Sequence, residues 1–555
     1  MAAVSKIRLR RSAAQLHALA KVEREIRATD PHLRRKYIRD FNNAYTSYSE
    51  ILSADQLTRE LTSADIVLVG DYHALPQCQQ FTSELIEKLI ASGRQVVLGL
   101  EMIFARDQRI LNDWQAGLIT DEQLRHRLRH DVEWGYDWVP LRDLLLRARG
   151  AGARIYGLDC LPRGDLRRIA LRDRHAAHKI EDIRSDHPEA VIVTLFGESH
   201  LAPAHMPKYV RQLLPKERVL TVLQNVDALY WQASGERVHP IRSVRVDRDT
   251  VCVFNASPLE KYESYRQCLD RWRQDRPGRP DLAPTFYNLV EALLRFLNIS
   301  QYAPVHGPLV DLLPELISVE DSPCLPRILE TTNLPAWKSR HSEETVAYVQ
   351  QRLAESGCCY LSAQNTLFVR QFEMGSAAEE AARFVCLSNW GEAGLANDAG
   401  DPEMLFYRSC LQHALVEYGS RVLCPSREPV REYDLYVLYG QEREEVELDT
   451  DFSYREYVQL IDFIVLHRDF ECHARQYCLV PDLIREGRSY TGSRAAFTSR
   501  WLGRLLGCEL YDAYLKGVVG KRNIRKLFLK QIADPKAAYF KLVRLCRKQR
   551  RTLDA

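Results

Sequence analysis

Five short, almost wholly apolar runs between Ala64 and Leu223 constrain this chain's fold more than any other feature. They are Ile66–Val69, Val96–Leu100, Arg154–Leu158, Val191–Phe196 and Val219–Leu223. Segments of helical spacing lie between them. Phe81, Leu85, Ile86, Leu89 and Ile90 recur on one helical face before Gly93, which suits a C-terminal cap, and 111–128 and 141–148 read the same way, the latter closed by Gly150 and Gly152. A strand that is apolar on both faces must be covered on both faces. Alternation with helices therefore predicts an α/β fold, a mostly parallel sheet flanked by helices. Residues 228–231 and 244–254 read as antiparallel or edge additions to it.

The flanks read differently. Residues 1–50 predict a charged amphipathic helix with Leu9, Ala13, Leu16, Leu19 and Val22 on one stripe, interrupted at Pro31. Residues 51–265 form the α/β domain. Pro258, Pro277, Gly278, Pro280 and Pro284 give 257–284 a linker composition, with 266–284 as the inter-domain connection. Residues 285–555 read as an α-rich C-terminal part of one or two domains. Its helices are expected near 286–297, 343–355, 376–388, 404–418, 453–468, 493–506 and 536–549, and its strand pairs at 359–361 with 367–371 and at 433–439 with 446–448.

Charge and cysteine usage exclude several classes. Lys+Arg is 77 against Asp+Glu 74, a net charge of +3, which argues against a dedicated nucleic-acid binder. The 14 Cys show no CxxC pair, so reduced thiols are expected rather than a zinc knuckle. No apolar run approaches the roughly 20 residues of a membrane span. The basic N-terminus has neither an apolar h-region nor a lipobox-like Cys, so a cytoplasmic location is expected. The basic stretch 521–551 reads as a pair of amphipathic helices, with an anionic partner as the alternative. Glu379, Glu380 and the acidic run 442–451 read as solvated faces, and Cys472–His473 alone is no metal site.

Ligands of open parallel sheets bind beyond the carboxyl ends of the strands. Those ends read Gly70-Asp71-Tyr72-His73, Glu101-Met102, Asp159-Cys160, Gly197-Glu198-Ser199-His200 and Gln224-Asn225. Two share the form Gly-x-x-His, in which glycine permits a sharp turn. His73, His200 and Glu101 make a two-His, one-carboxylate set suited to a divalent metal. Without a metal, a His paired with Glu101 suits general-base work on water, with Asp71 and Glu198 as orienting groups.

Several stretches carry a resemblance: VLVGDYH (67–73), LGLEMIFARDQ (98–108), LNDWQAGLIT (111–120), Trp134 and Trp138 before Pro140-Leu141, IYGLDCLPR (155–163), LFGESH (195–200) and SPLEKYESY (257–265). Over roughly residues 60–265 the chain resembles the ChaN-like haem-binding uptake proteins, within the superfamily of the Tiki, TraB and erythromycin-esterase proteins. The usual Glu after the first Gly is here Asp71. The resemblance implies one of two uses of the rim. A haem ligand would take Tyr72, His73 and Met102 as candidate axial groups, with Asp71 beside them and Phe104, Trp134, Tyr136 and Trp138 as walls. A hydrolase would use His73, Glu101, His200 and Glu198, with or without a metal, to cleave an amide or ester. A third reading is a non-catalytic scaffold that holds a protein partner through its basic C-terminus. No family is recognised in 285–555.

Overall fold

The computed structural model of the 555-residue chain describes residues 6–30, 36–160, 169–273, 281–299, 318–321, 343–361, 366–390, 402–435, 454–472, 493–529 and 532–547. The chain divides into two compact units, 19–280 and 1–18 with 281–555.

In the unit 19–280 the strands are β1 (Glu50–Ile51), β2 (Ile66–Asp71), β3 (Val96–Phe104), β4 (Arg154–Asp159), β5 (Val191–Gly197), β6 (Val219–Gln224), β7 (Ser243–Asp247) and β8 (Thr250–Val253). They form one 8-stranded sheet in the order β1-β7-β8-β6-β2-β5-β3-β4. The five strands from β2 to β6 correspond to the five apolar runs and are parallel to their neighbours; β7 runs antiparallel to β8 and to β1. Successive side chains serve opposite layers, as the two-residue period demands. Val67 and Val69 join Leu98, Leu100, Val193 and Leu195 in a core with Leu85, Ile86, Leu89, Leu141 and Leu144, which come from the helices Pro76–Ala91 and Trp138–Gly150. Ile66 and Leu68 join Val97, Ile192 and Phe196 in the opposite core with Phe41, Ala176, Ala177, Ile180 and Val210. Each fully buried aliphatic side chain contributes about 1.5–3 kcal/mol, as an upper estimate.

Three expectations are corrected in this unit. Residues 228–231 lie in a helix, Asp227–Ala233, rather than an edge strand. A short apolar run fits either period, and Asp227 in the first turn meets the positive end of the helix dipole. The linker composition of 257–284 conceals a helix, Pro258–Arg273. There Pro258 starts the helix, and Ser257 and Glu260 form a reciprocal cap: Ser257 N donates to Glu260 Oε2 at 2.6 Å and Glu260 N to Ser257 Oγ at 3.3 Å. Residues 274–280 of that segment lie outside the described residues. The N-terminal stripe is also phased differently. The chain forms helices Lys6–Ser12, Gln15–Thr29 and Lys36–Ala44, and Leu9 and Leu16 are exposed while Ala14, Ala18, Leu19, Val22 and Ile26 are buried.

The unit formed by 1–18 and 281–555 is mainly helical. Its helices include Ala283–Leu297, Glu343–Ser356, Met374–Trp390, Pro402–Leu423, Tyr454–Cys472, Ser493–Lys516, Lys521–Leu529 and Pro535–Arg547, close to the expected positions. Strands β10 (Cys358–Leu361) and β11 (Thr366–Val369) pair antiparallel, and β9 (Ser318–Asp321) adds parallel to β11. The expected strand at 433–439 is not formed where it is described: 432–435 is helical, and 436–453 with the acidic run lies outside the described residues, as does His473. Glu379 and Glu380, read as a solvated face, are buried at 6% and 1% exposure and paired with arginines. Among the described residues, no helix is long and apolar enough to cross a membrane.

Candidate functional site

β5 lies between β2 and β3, so the carboxyl ends of all three meet. Asp71 pairs in register with Gly197, and Leu100 with Leu195. Glu101 follows directly, where β3 shifts register against β4 between Leu100 and Phe104. Its carboxylate arches over the end of β5 and accepts the Gly197 N–H.

His73 and His200 face this carboxylate from either side. His73 Nε2 lies 3.8 Å from Glu101 Oε2, and His200 Nε2 lies 3.7 Å from Oε1. Each ring is held from behind by another carboxylate: His73 Nδ1 is 2.7 Å from Asp71 Oδ2, and His200 Nδ1 is 2.5 Å from Asp173 Oδ1. A carboxylate only accepts, so Nδ1 is the donor in both rings and each Nε2 is turned toward Glu101. Gln79 Nε2 donates to Asp71 Oδ1 at 2.6 Å, and the Tyr37 hydroxyl donates to Asp173 Oδ2. Arg172 closes the cluster, with Nη2 2.6 Å from Glu101 Oε1 and Nε 2.8 Å from Asp159 Oδ1.

Electrostatics follow from this burial. Burial pushes the Glu101 carboxyl up, but His200, Arg172, His73 and the Gly197 N–H together outweigh it and hold the group at about 2. Burial likewise opposes a charged His73, yet the Asp71 hydrogen bond and the charges of Asp71 and Glu101 raise it above its ordinary value.

Both glycines of the Gly-x-x-His pairs are needed for space rather than for a left-handed turn, since neither has a positive φ. A Cβ on Gly197 would lie 3.1 Å from both Glu101 Oε2 and His73 Nε2, and one on Gly70 would lie 3.3 Å from Leu201 Cδ1. Gly197→Ala is therefore expected to displace His73 and to cost about 1–3 kcal/mol by overpacking. Unchanged His73 imidazole NMR shifts together with an unchanged melting temperature would refute this.

The other predicted site residues are dispersed. Glu198 does not orient a histidine; it pairs with Lys261, whose Nζ is 3.0 Å from Glu198 Oε2 and 4.7 Å from the centre of the Tyr72 ring. Burial opposes charge on Lys261, but Glu198 and Asp227 outweigh it and raise its pKa. Tyr72 is half-buried, and burial first, then Tyr262 and Glu198, drive its phenol well above 10. Met102 is buried in the core beside Leu100 and Ile103. Of the expected aromatic walls, Trp134 and Tyr136 meet the His73 ring edge-on, with centroids 4.5 and 5.2 Å away. Trp138 packs on His130 instead, and Phe104 is buried. A divalent ion does not fit the triad as it stands. Glu101 is committed to Arg172 and Gly197, and among the described residues no group of three or more His, Cys, Asp or Glu is arranged to hold a metal.

The sequence reading missed Arg172, Asp173, Gln79 and Lys261. A signal for the first two was present: they fall on the same helical stripe as Ala176, Ala177, Ile180 and Ile183, all buried. Charges on an apolar stripe require partners inside.

Residues 57–182 match the family described as haem-binding uptake, Tiki superfamily, ChaN. This ChaN-like stretch contains His73, Glu101, Arg172 and Asp173 and stops before Gly197 and His200. No curated protein matches the chain. Among solved structures, ChaN of Campylobacter jejuni, described with cofacial haem binding, is 13% identical over 33% of this chain and 93% of its own, with a TM-score of 0.25. The type III effector HopBA1 is 17% identical over 38% of this chain and 98% of its own, with a TM-score of 0.27.

Proposed function

We propose that the carboxyl edge of the sheet binds haem, with His73 as the axial ligand and Tyr72 beside it. The observation that carries this reading is the state of His73. Its Nδ1 is held by Asp71, its Nε2 makes no hydrogen bond among the described residues, and its ring is flanked by Trp134 and Tyr136. A carboxylate behind an imidazole raises its basicity as a ligand, and aromatic faces suit a flat macrocycle. The ChaN-like family description of 57–182 supports the same ligand. His73 and Tyr72 would hold the haem, which would supply its iron's redox and ligand-binding chemistry; Met102, enclosed in the core, does not fit among the residues that would hold it. Titration of the purified chain with haemin should shift the Soret band, and His73→Ala should weaken binding at least tenfold. A spectrum identical to free haemin overturns the reading.

A second reading, hydrolysis, is favoured by the paired Asp71–His73 and Asp173–His200 units facing one ionised carboxylate. Each His Nε2 suits proton transfer with water or a leaving group. His200→Ala separates the two uses: it should abolish esterase or amidase activity found in a substrate panel while leaving the Soret shift in place.

A further inference from the structure

The α/β unit has a recess of about 260 Å³ that shares no residue with the cluster of His73, Glu101 and His200. Its floor is the register pair Thr221 on β6 and Thr250 on β8. Tyr45 and Pro207 form its apolar wall, and the turn between β7 and β8 closes another side.

The floor departs from the pattern of the strands that carry it. On the same face, Val219, Leu223 and Cys252 pack into the core with Phe41, Tyr45 and Val210. Thr221 and Thr250 are 1% and 4% exposed, and neither hydroxyl makes a hydrogen bond among the described residues. Valine has nearly the same shape and no polar group to satisfy, whereas a hydroxyl left unmet in the interior costs about 1–3 kcal/mol. Two hydroxyls side by side at the bottom of one recess serve whatever enters it.

The mouth of the recess carries both signs of charge. Arg211 comes from the helix Met206–Leu213, and Asp247, Arg248 and Asp249 come from the β7–β8 turn. None of the four forms an ion pair among the described residues. Arg211 Nη2 makes one long contact, 3.5 Å to the Val219 carbonyl, and Asp247 Oδ1 accepts the Asp249 N–H at 2.9 Å. The opposite charges border one cavity without joining across it, and each keeps donors or acceptors for a ligand.

We propose that this recess binds a small zwitterion, a free α-amino acid. The planar fork of Arg211 matches the ligand carboxylate, and Asp247 and Asp249 receive the ammonium group. The threonine hydroxyls donate to the first or accept from the second. Two carboxylates at the mouth oppose a phosphate dianion, and the arginines oppose a simple cation. The volume falls just under the roughly 300–1,000 Å³ usual for small-molecule sites, so the side chain is short. The Tyr45 hydroxyl is committed to the Leu201 carbonyl at 2.7 Å and leaves the ring as wall.

The test is calorimetric titration of the full chain with glycine, L-alanine, L-serine and L-proline, one at a time and at fixed ionic strength. Saturable one-to-one binding of at least one is expected, weakened at least tenfold by Arg211→Gln and by Thr221→Val. The same acid without its amino group, acetate for glycine or propionate for L-alanine, should also bind at least tenfold more weakly. Saturation by none of the four overturns the proposal. Equal affinity for the acid without its amino group overturns it too, as does affinity unchanged in both variants. Thr221→Val should leave the melting temperature in place or raise it; a lowered one gives the hydroxyl a structural use and removes the argument from the floor. Should Arg211→Gln lose its fold, Thr221→Val and the acid without its amino group still decide the matter.

Discussion

Arg172→Met is expected to destabilise the α/β unit by about 3–5 kcal/mol, the usual cost of stranding buried carboxylates without their cation. The arginine is 6% exposed and serves Glu101 and Asp159 at once. The loss should appear as a melting temperature lower by roughly 6–20 °C at neutral pH. Its pH dependence has a defined sign. Glu101 is held near 2, below its ordinary 4.5, so its contribution to stability is present above pH 4.5 and is lost as pH falls through about 2. In the variant Glu101 protonates more readily. The gap between variant and wild type should therefore narrow on acidification below pH 4.5. An equal gap at pH 7 and pH 3 would contradict the role assigned to Arg172.

The second large effect is expected at Asp71. His73 is raised above 6.5 chiefly because Asp71 outweighs its burial. Its contribution to stability is thus complete below pH 6.5 and lost as pH rises through the raised value. Ligation through Nε2 runs the opposite way, because it needs the neutral ring. Under the haem reading, the Soret shift should disappear as pH falls through the raised pKa of His73. Asp71→Asn should move that edge to lower pH and should destabilise the apo protein most below pH 6.5. An edge that stays in place in Asp71→Asn would dismiss Asp71 as the group that tunes His73.

The sheet was legible because its strands are apolar on both faces, a pattern that neither a half-exposed strand nor a surface helix produces. The rim was legible for a related reason: the end of each apolar run places its first polar residues at one edge. That reasoning located His73, Glu101, His200 and the Asp71 that holds His73, but not Arg172 and Asp173, which pair with Glu101 and His200. Asp173 and Arg172 lie on a helix rather than at a strand end, and Lys261 lies on a helix hidden by proline-rich composition. Glu198, one residue past Gly197, reads from the sequence as an orienting group, whereas it pairs with Lys261 and the helix supplies Asp173 to His200. Strand-end logic states which residues reach the rim and is silent on the helices that descend to meet them. Glu379 and Glu380 failed in a related way: Arg383 lies one helical turn on, but Arg352 and Arg427, which also pair with them, lie tens of residues away.

The insertion of β5 between β2 and β3 has a consequence for biosynthesis. His73 and Glu101 emerge from the ribosome early, on strands with no direct bond to each other, and must wait about a hundred residues for the strand that joins them. Contacts so distant in sequence form slowly. A nascent chain halted before Gly197 would carry the whole ChaN-like stretch and yet lack the strand end over which Glu101 meets His73 and His200, so the cluster assembles only once the central strand has been threaded home.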